Sequence, residues 1–160
     1  MSRTDAVTDA DFGFLLASAY AAYVELLHAR LIERGFPRPR PAYGAVLRSL
    51  QREPATLTAL AARIGVTKQA LARVVDEMRK AGLVEAGTDP DDARVRPLSL
   101  TARGEEMVAA AIGIGEEVAS GLARGLGADA AASLRAGLER LVTDAGAAED
   151  LAARRLRAPV

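Results

Sequence analysis

Residues 67–82 constrain most strongly what this chain can fold into. Apolar residues recur there at the spacing of one helical face, namely Leu71, Val74, Val75 and Met78. The opposite stripe is polar and contains Gln69, Arg73, Asp76 and Lys80. Thr67 offers a side-chain oxygen to the first free backbone N–H groups, and Gly82 suits the left-handed position after a last helical turn. The pattern predicts a helix with one buried face and one exposed polar face.

A shorter helix is predicted just before this one, over residues 57–64, with Thr58 as its cap. Gly65 then permits the positive φ that a tight turn between two helices requires. Two helices joined in this way indicate a helix-turn-helix, whose second helix is the one that reads a DNA groove.

A β-hairpin is predicted after the second helix. Its strand candidates are residues 83–84 and 95–100, and the loop at 88–94 is rich in turn-forming residues. Pro97 cannot donate a ladder hydrogen bond, so we expect the returning strand at a sheet edge or with residue 97 facing outward. The hairpin would form a wing beside the helix pair.

These segments resemble the multiple antibiotic resistance regulator (MarR) family. The resemblance is carried by LAARIGVTKQAL at 60–71, KAGLV at 80–84, and DPDDAR at 89–94 leading to LTARG at 100–104. It covers most of the chain and is strongest from Leu57 to Gly104. It implies a winged helix-turn-helix in which Arg94 enters the DNA minor groove, held by Asp92. Two departures are Ala86, where the family often has an arginine, and Pro97 in the returning strand.

The ends of the chain carry two further helical regions. The first runs from a cap at Asp9 or Asp11 to about Arg34, and another runs from Thr101 to about Leu122. Asp129 is expected to cap a last helix with a regular apolar stripe. Because the first helix is apolar on more than one side, a partner subunit is expected to cover it.

The chain is therefore interpreted as one domain, residues 1–160, that is mainly α with a small β-wing. Residues 41–101 form the winged helix-turn-helix, and residues 9–34 and 102–145 form dimerisation helices. The resemblance implies that the end helices of two subunits share one core.

Composition excludes several other classes of protein. The absence of cysteine excludes disulfides and thiolate zinc sites, and His28 is the one histidine. The sequence contains no glycine-rich phosphate loop and no serine nucleophile motif, so no enzyme, catalytic residue or cofactor is predicted. The acidic loop at 89–92 lacks the later glycine and glutamate of a calcium loop, and no metal site is predicted.

The formal net charge is zero, but the charges are unevenly distributed. Cations concentrate in the helix pair and wing at Arg63, Lys68, Arg73, Arg79, Lys80, Arg94, Arg96 and Arg103. A basic face is therefore expected despite the balance. No signal segment and no apolar run of about 20 residues is apparent in the sequence, which predicts a cytoplasmic protein without a membrane span.

The predicted DNA contacts follow from this arrangement. Lys68, Gln69 and Arg73 are assigned to base edges in the major groove. Thr58 and Thr67 are assigned to phosphates, because helix N-termini offer free N–H donors. The alternative interpretation is that each of these residues is a solvated surface group. Asp92 and Arg94 would then form an ordinary surface ion pair.

The family resemblance also implies a small aromatic or phenolic effector bound between the dimer helices and the DNA module. Residues proposed to line such a crevice are Tyr20, Tyr23, His28 and Tyr43. Tyrosines at helical spacing are more often core or interface residues, which is the alternative interpretation.

Two functions from different classes are compatible with the sequence. The first is a sequence-specific DNA-binding transcription regulator, namely a ligand-responsive repressor that binds a pseudo-palindromic operator as a homodimer. The alternative is a winged-helix protein-interaction module without specific DNA binding, which the neutral net charge favours.

Overall fold

A computed structural model describes residues 11–88 and 96–149 of the protein. The elements in these ranges are α1 (Phe12–Glu33), α2 (Pro41–Arg52), α3 (Leu57–Ile64), α4 (Lys68–Lys80), β1 (Val84–Ala86), β2 (Leu98–Leu100), α5 (Ala102–Leu126) and α6 (Ala128–Asp144). The strands form one antiparallel two-stranded sheet. The prediction of a mainly helical chain with a small β-wing is confirmed.

The chain divides into two compact units, residues 1–38 and residues 39–160. In the first unit, α1 ends at Glu33, and the φ of 81° at Gly35 lets the Phe36 amide donate to the Leu31 carbonyl at 3.0 Å. Asp11 precedes α1, but its side chain makes no capping hydrogen bond. Asp11 was therefore wrongly predicted as a side-chain cap, and Asp9 lies outside the described residues.

Helix α1 is long and apolar enough, by length and composition, to cross a membrane. The expectation that the chain has no such run is wrong on these two criteria. Helices of soluble proteins and signal sequences pass the same test, so the criteria alone are weak evidence for a membrane span.

Helix α2 is central to the second unit. It begins with Pro41 at the first helical position, where a missing N–H costs no intrahelical bond. It contacts α3, α4, α5 and β2. Its buried face contributes Tyr43, Val46, Leu47 and Leu50 to the core. Both helices of the helix-turn-helix therefore pack against α2.

Short local hydrogen bonds set the ends of the helix pair. The hydroxyl of Thr56 accepts from the Ala59 amide at 3.2 Å and caps α3. The prediction of Thr58 as the cap is wrong, because Thr58 already lies within the first helical turn. At the other end, Gly65 has a φ of 80°, so the tight turn predicted there is confirmed.

The first wing strand, Val84–Ala86, begins and ends later than the predicted 83–84, and the second, Leu98–Leu100, is shorter than the predicted 95–100. They pair Val84 with Leu100 and Ala86 with Leu98. Leu98 also exchanges two backbone hydrogen bonds with Ala55, at 2.8 and 3.1 Å. Pro97 precedes β2, and its carbonyl accepts from the Gly87 amide at 2.8 Å. Gly87 and Pro97 thus continue the pairing with one hydrogen bond, and the missing N–H of the proline coincides with the end of the ladder.

Helix α5 begins at a threonine that joins two elements. The hydroxyl of Thr101 accepts from the Gly104 amide at 3.1 Å and donates to the Gly82 carbonyl just after α4. This confirms Thr101 as a cap, although α5 continues beyond the predicted end to Leu126. Helix α6 follows Gly127 without a side-chain cap, so Asp129 was wrongly predicted as one and lies in the first turn instead.

Gly104 is a point of close approach between α5 and the start of the wing. A Cβ built on Gly104 would overlap the carbonyl oxygen of Leu83 and lie 3.3 Å from the Cβ of Leu100. Because one of these neighbours is backbone, it cannot rotate away. Only a residue without a side chain fits this position.

We predict that Gly104→Ala lowers the free energy of unfolding by roughly 1 to 3 kcal/mol through overpacking. Urea unfolding followed by circular dichroism measures the change. The matched control is Gly125→Ala near the end of the same helix, where a Cβ meets nothing within 4 Å. That control should be neutral or stabilising, by at most about 1 kcal/mol, since alanine favours helix. Equal effects of the two substitutions would contradict the close approach.

Arg63 faces α2 and not the solvent side of the helix pair. Its guanidinium donates to the hydroxyl of Ser49 at 3.2 Å and to a carboxylate oxygen of Glu53 at 2.7 Å. Ser49 is buried, and the Arg63 side chain is 28% exposed. The sequence analysis counted Arg63 among the cations of a basic face, and the structure corrects this placement.

We predict that Arg63→Ala destabilises the fold by about 1 to 2 kcal/mol, because the buried Ser49 loses its charged donor. The exposed pair with Glu53 adds little to that loss. Arg79→Ala is the control, since Arg79 is exposed on α4, and its effect should stay within about 0.5 kcal/mol. Thermal and urea unfolding midpoints measure both, and an unchanged Arg63→Ala midpoint would contradict the structural role.

Candidate nucleic-acid interface

Helix α4 has one face in the core and one face in solvent. Leu71, Val75 and Met78 are buried, and Val74 is half-buried beside them. The hydroxyl of Thr67 accepts from the Ala70 amide at 3.2 Å and starts the helix where the sequence predicted. The orientation of α4 is thus fixed by its apolar stripe.

The polar stripe of α4 is exposed as predicted. Its exposed members are Lys68, Gln69, Arg73, Asp76, Arg79 and Lys80. Thr67, Lys68 and Gln69 share the start of the helix, so two candidate base-reading side chains lie beside backbone N–H groups that have no intrahelical acceptor. Such a helix N-terminus attracts anions, and phosphate is the anion that nucleic acids supply.

Thr58 lies on the neighbouring helix, in the first turn of α3, and is exposed. The hydroxyl of Thr56 already accepts the Ala59 amide, so the Thr58 hydroxyl is not needed for capping. This leaves Thr58 available for the phosphate contact that the sequence analysis assigned to it, and that assignment stays a prediction.

Asp92 and Arg94 lie outside the described residues. On either side of that segment, Thr88 and Arg96 are both exposed. The antiparallel pairing of β1 with β2 brings the two ends of the 87–97 segment together, with Gly87 bonded to Pro97. The predicted minor-groove role of Arg94 stays a prediction.

Ala86, one of the two departures from the MarR family pattern, lies beside an open groove at the end of α4. Arg79 and Lys80 line this groove, which has a volume of about 560 Å³, together with Glu85 and Thr101. Ala86 also contributes to its wall and is half-buried. The shorter side chain therefore leaves space where the family often has an arginine, while Arg79 and Lys80 keep cations nearby.

The four predicted effector residues have different surroundings. Tyr20 is exposed, and Tyr23 and His28 are half-buried, all three on α1 in the first unit. Tyr43 belongs to the second unit and is 5% exposed. Burial raises the pKa of the Tyr43 hydroxyl, the nearby Glu77 carboxylate raises it further, and Arg40 lowers it. The effector crevice stays a prediction.

Sequence reasoning missed two ion pairs that shape this region. Arg40, just before α2, pairs with Glu77 of α4 at 3.0 Å, and Arg63 pairs with Glu53. A signal existed for Arg63, because it lies three residues after the buried Leu60 and so lies toward the inner face of α3. No local signal links residues as distant in sequence as Arg40 and Glu77. Within the described ranges, no three His, Cys, Asp or Glu side chains cluster as metal ligands.

Comparison with known proteins gives both sequence and structural matches. A protein-family model described as MarR family matches residues 35–95. The transcriptional regulator HosA of Escherichia coli O111:H- is 41% identical over 80 residues, which are 49% of this chain and 58% of HosA. The chain therefore spans less than two thirds of that relative's length.

Two solved structures match over most of the chain. Wild-type apo MarR from E. coli is 25% identical, with a TM-score of 0.61 over 82% of this chain and 96% of that one. S. aureus MepR in a complex with DNA is 16% identical, with a TM-score of 0.66 over 84% of this chain and 98% of that one. The MepR likeness shows the fold alone. Residues 35–95 thus match the MarR family model, and the chain is similar in fold to E. coli MarR over most of its length.

Proposed function

We propose that the protein is a DNA-binding transcription regulator that acts as a homodimer. The observation that carries this proposal is the exposed polar stripe of α4 opposite its buried face. HosA is named a transcriptional regulator, and MepR was solved with DNA bound, which supports the same role on this fold. No catalytic step is part of the proposal.

In this function, α4 enters the major groove of a duplex with its N-terminal end toward the bases. Gln69 is suited to adenine and Arg73 to guanine, and each bidentate pair discriminates by roughly 1 to 3 kcal/mol. Lys68, Thr67 and Thr58 contact phosphates or base edges beside them. Arg94, oriented by Asp92, enters a narrow minor groove whose negative potential attracts it.

Unburied apolar side chains support the homodimer. Helix α6 has no buried residue among those described, and its stripe of Leu134, Leu138 and Leu141 is 41% to 46% exposed. On α1, Phe12, Phe14 and Leu15 are also at least half exposed. Clustered apolar surface of this kind is typical of an interface. Residues 9–34 and 102–145 are proposed to bury it against a second copy, which also accounts for the apolar composition of α1 without a membrane.

Regulation by a small molecule extends the proposal. A small aromatic or phenolic effector, bound near Tyr20, Tyr23, His28 and Tyr43, would release a repressor from its pseudo-palindromic operator. The half-sites would be spaced by about one turn of the duplex, 10 to 10.5 base pairs. The cytoplasm is the proposed location of a regulator of this kind.

The protein's own genomic fragments test the proposal first. We expect the purified protein to retain a small set of fragments that share a pseudo-palindromic sequence. Binding to such a duplex should weaken steeply as salt rises, because phosphate contacts release counterions. A flat salt dependence, or retention of no common sequence, would favour the alternative of a protein-interaction module.

We predict that Arg73→Ala abolishes discrimination at one base pair in each half-site and weakens binding about 10-fold or more, since a bidentate contact is lost. Fluorescence anisotropy with the retained duplex measures the affinity. Arg135→Ala on α6 is the matched control, because it also removes one exposed arginine. Equal affinities for the two variants would exclude Arg73 from base reading.

We also predict that Leu138→Glu converts the dimer to a monomer at micromolar concentration, because a charge enters the shared apolar surface. The isolated fold should keep its stability, since Leu138 is already exposed in the single chain. Sedimentation equilibrium measures the mass, and Ala136→Glu, on the other side of α6, is the control. A wild-type protein that is monomeric in this measurement would overturn the homodimer.

A further inference from the structure

The ion pair between Arg40 and Glu77 connects the segment before α2 to α4, the helix proposed to read DNA. Arg40 precedes α2, and its guanidinium lies 3.0 Å from the Glu77 carboxylate. The Glu77 side chain is 35% exposed, at the edge of the solvent face of α4. Tyr43 lies close enough to both charges for each to influence its pKa. The pair thus reaches from the start of α2 to the third turn of α4.

Glu77 has a second potential partner on its own helix. Arg73 precedes it by four residues, which places the two side chains on adjacent turns of one face. The same order and spacing forms ion pairs twice in α6, Arg135 with Glu139 at 2.9 Å and Arg140 with Asp144 at 2.8 Å. In the part of the chain that the structure describes, however, Glu77 is paired with Arg40 and no ion pair joins it to Arg73.

We propose that Arg40 is a positioning residue that occupies Glu77 and so keeps Arg73 available for DNA. Without Arg40, Glu77 is left one helical turn from Arg73, and the two charges pair. Arg73 must then break that pair before it can bind a base. The released carboxylate also adds a negative charge beside the phosphates. This inference rests on the proposed function of α4.

A reciprocal set of variants tests the proposal on the duplex that the wild-type protein retains from a random pool of DNA sequences. Arg40→Ala should weaken binding about two- to fivefold, because the competing pair has to be broken in both subunits. Arg40→Ala should not matter once Glu77 is uncharged, so R40A/E77Q should bind within a factor of about two of E77Q. Arg38→Ala, an exposed arginine two residues earlier, controls for the loss of one positive charge.

Other roles of Arg40 give different results. If Arg40 contacts phosphate, R40A/E77Q stays weaker than E77Q and the salt slope falls by about 0.9 for each lost contact. If the pair only stabilises the fold, R40A lowers the unfolding midpoint and E77Q does not restore binding. Either result overturns the proposal, as does an R40A affinity equal to that of the wild type. Arg40 supplies no side-chain cap to α2, so its replacement removes no capping bond.

A measurement without DNA separates this proposal from the proposed function. In a crystal structure of R40A without DNA, the guanidinium of Arg73 should lie within hydrogen-bond distance of the Glu77 carboxylate, because Arg73 becomes its partner. That result supports the pairing even if the wild-type protein retains no duplex, in which case the proposed function alone fails. An R40A structure in which Arg73 and Glu77 stay apart would overturn the inference.

Discussion

The burial of one face of α4 is the constraint on which the candidate interface depends. Met78 and Leu71 are almost completely buried, and the α2 helix beneath them fixes the direction in which they point. Because the side chains of a helix are set by their angle around its axis, the opposite residues must face solvent. The exposure of Gln69 and Arg73 therefore follows from packing. Apolar packing in the core thus determines which polar side chains of α4 are available to a ligand.

The wing is attached to α4 by contacts that permit little freedom. Thr101 bonds to Gly82 and Gly104, while Gly104 packs against the backbone of Leu83. The backbone of Leu98 forms hydrogen bonds with that of Ala55, and Leu98 lies opposite Ala86 in the two-stranded sheet. The two described ends of the wing are therefore held against both the C-terminal end of α4 and the segment before α3. The described ends of the wing therefore keep one position relative to α4, which suits the proposed contact of both with DNA.

Features set by neighbouring residues were predictable from the sequence, and features set by distant ones were not. Thr67, Gly65 and Gly82 follow from local rules, and the structure confirms all three positions. The sequence pattern favoured Thr58 as the N-cap of α3 and Asp129 as the N-cap of α6. The structure has Thr56 and Gly127 at these positions, so both predictions were wrong. The inward direction of Arg63 and the pairing of Arg40 depend on how α2 packs, which no short window of sequence encodes.

The neutral net charge of the chain is compatible with the proposed DNA-binding surface because two acids of the helix-turn-helix region are partnered by arginines. Glu53 and Glu77 are each held by an arginine from another element, so their charges are balanced away from the outer stripe. Lys68 and Arg73 stay exposed on that stripe, with Asp76 as the nearby acid. A count of charges treats all of these residues alike. Attraction to phosphate depends on which charges remain unpaired within a Debye length of the bound backbone.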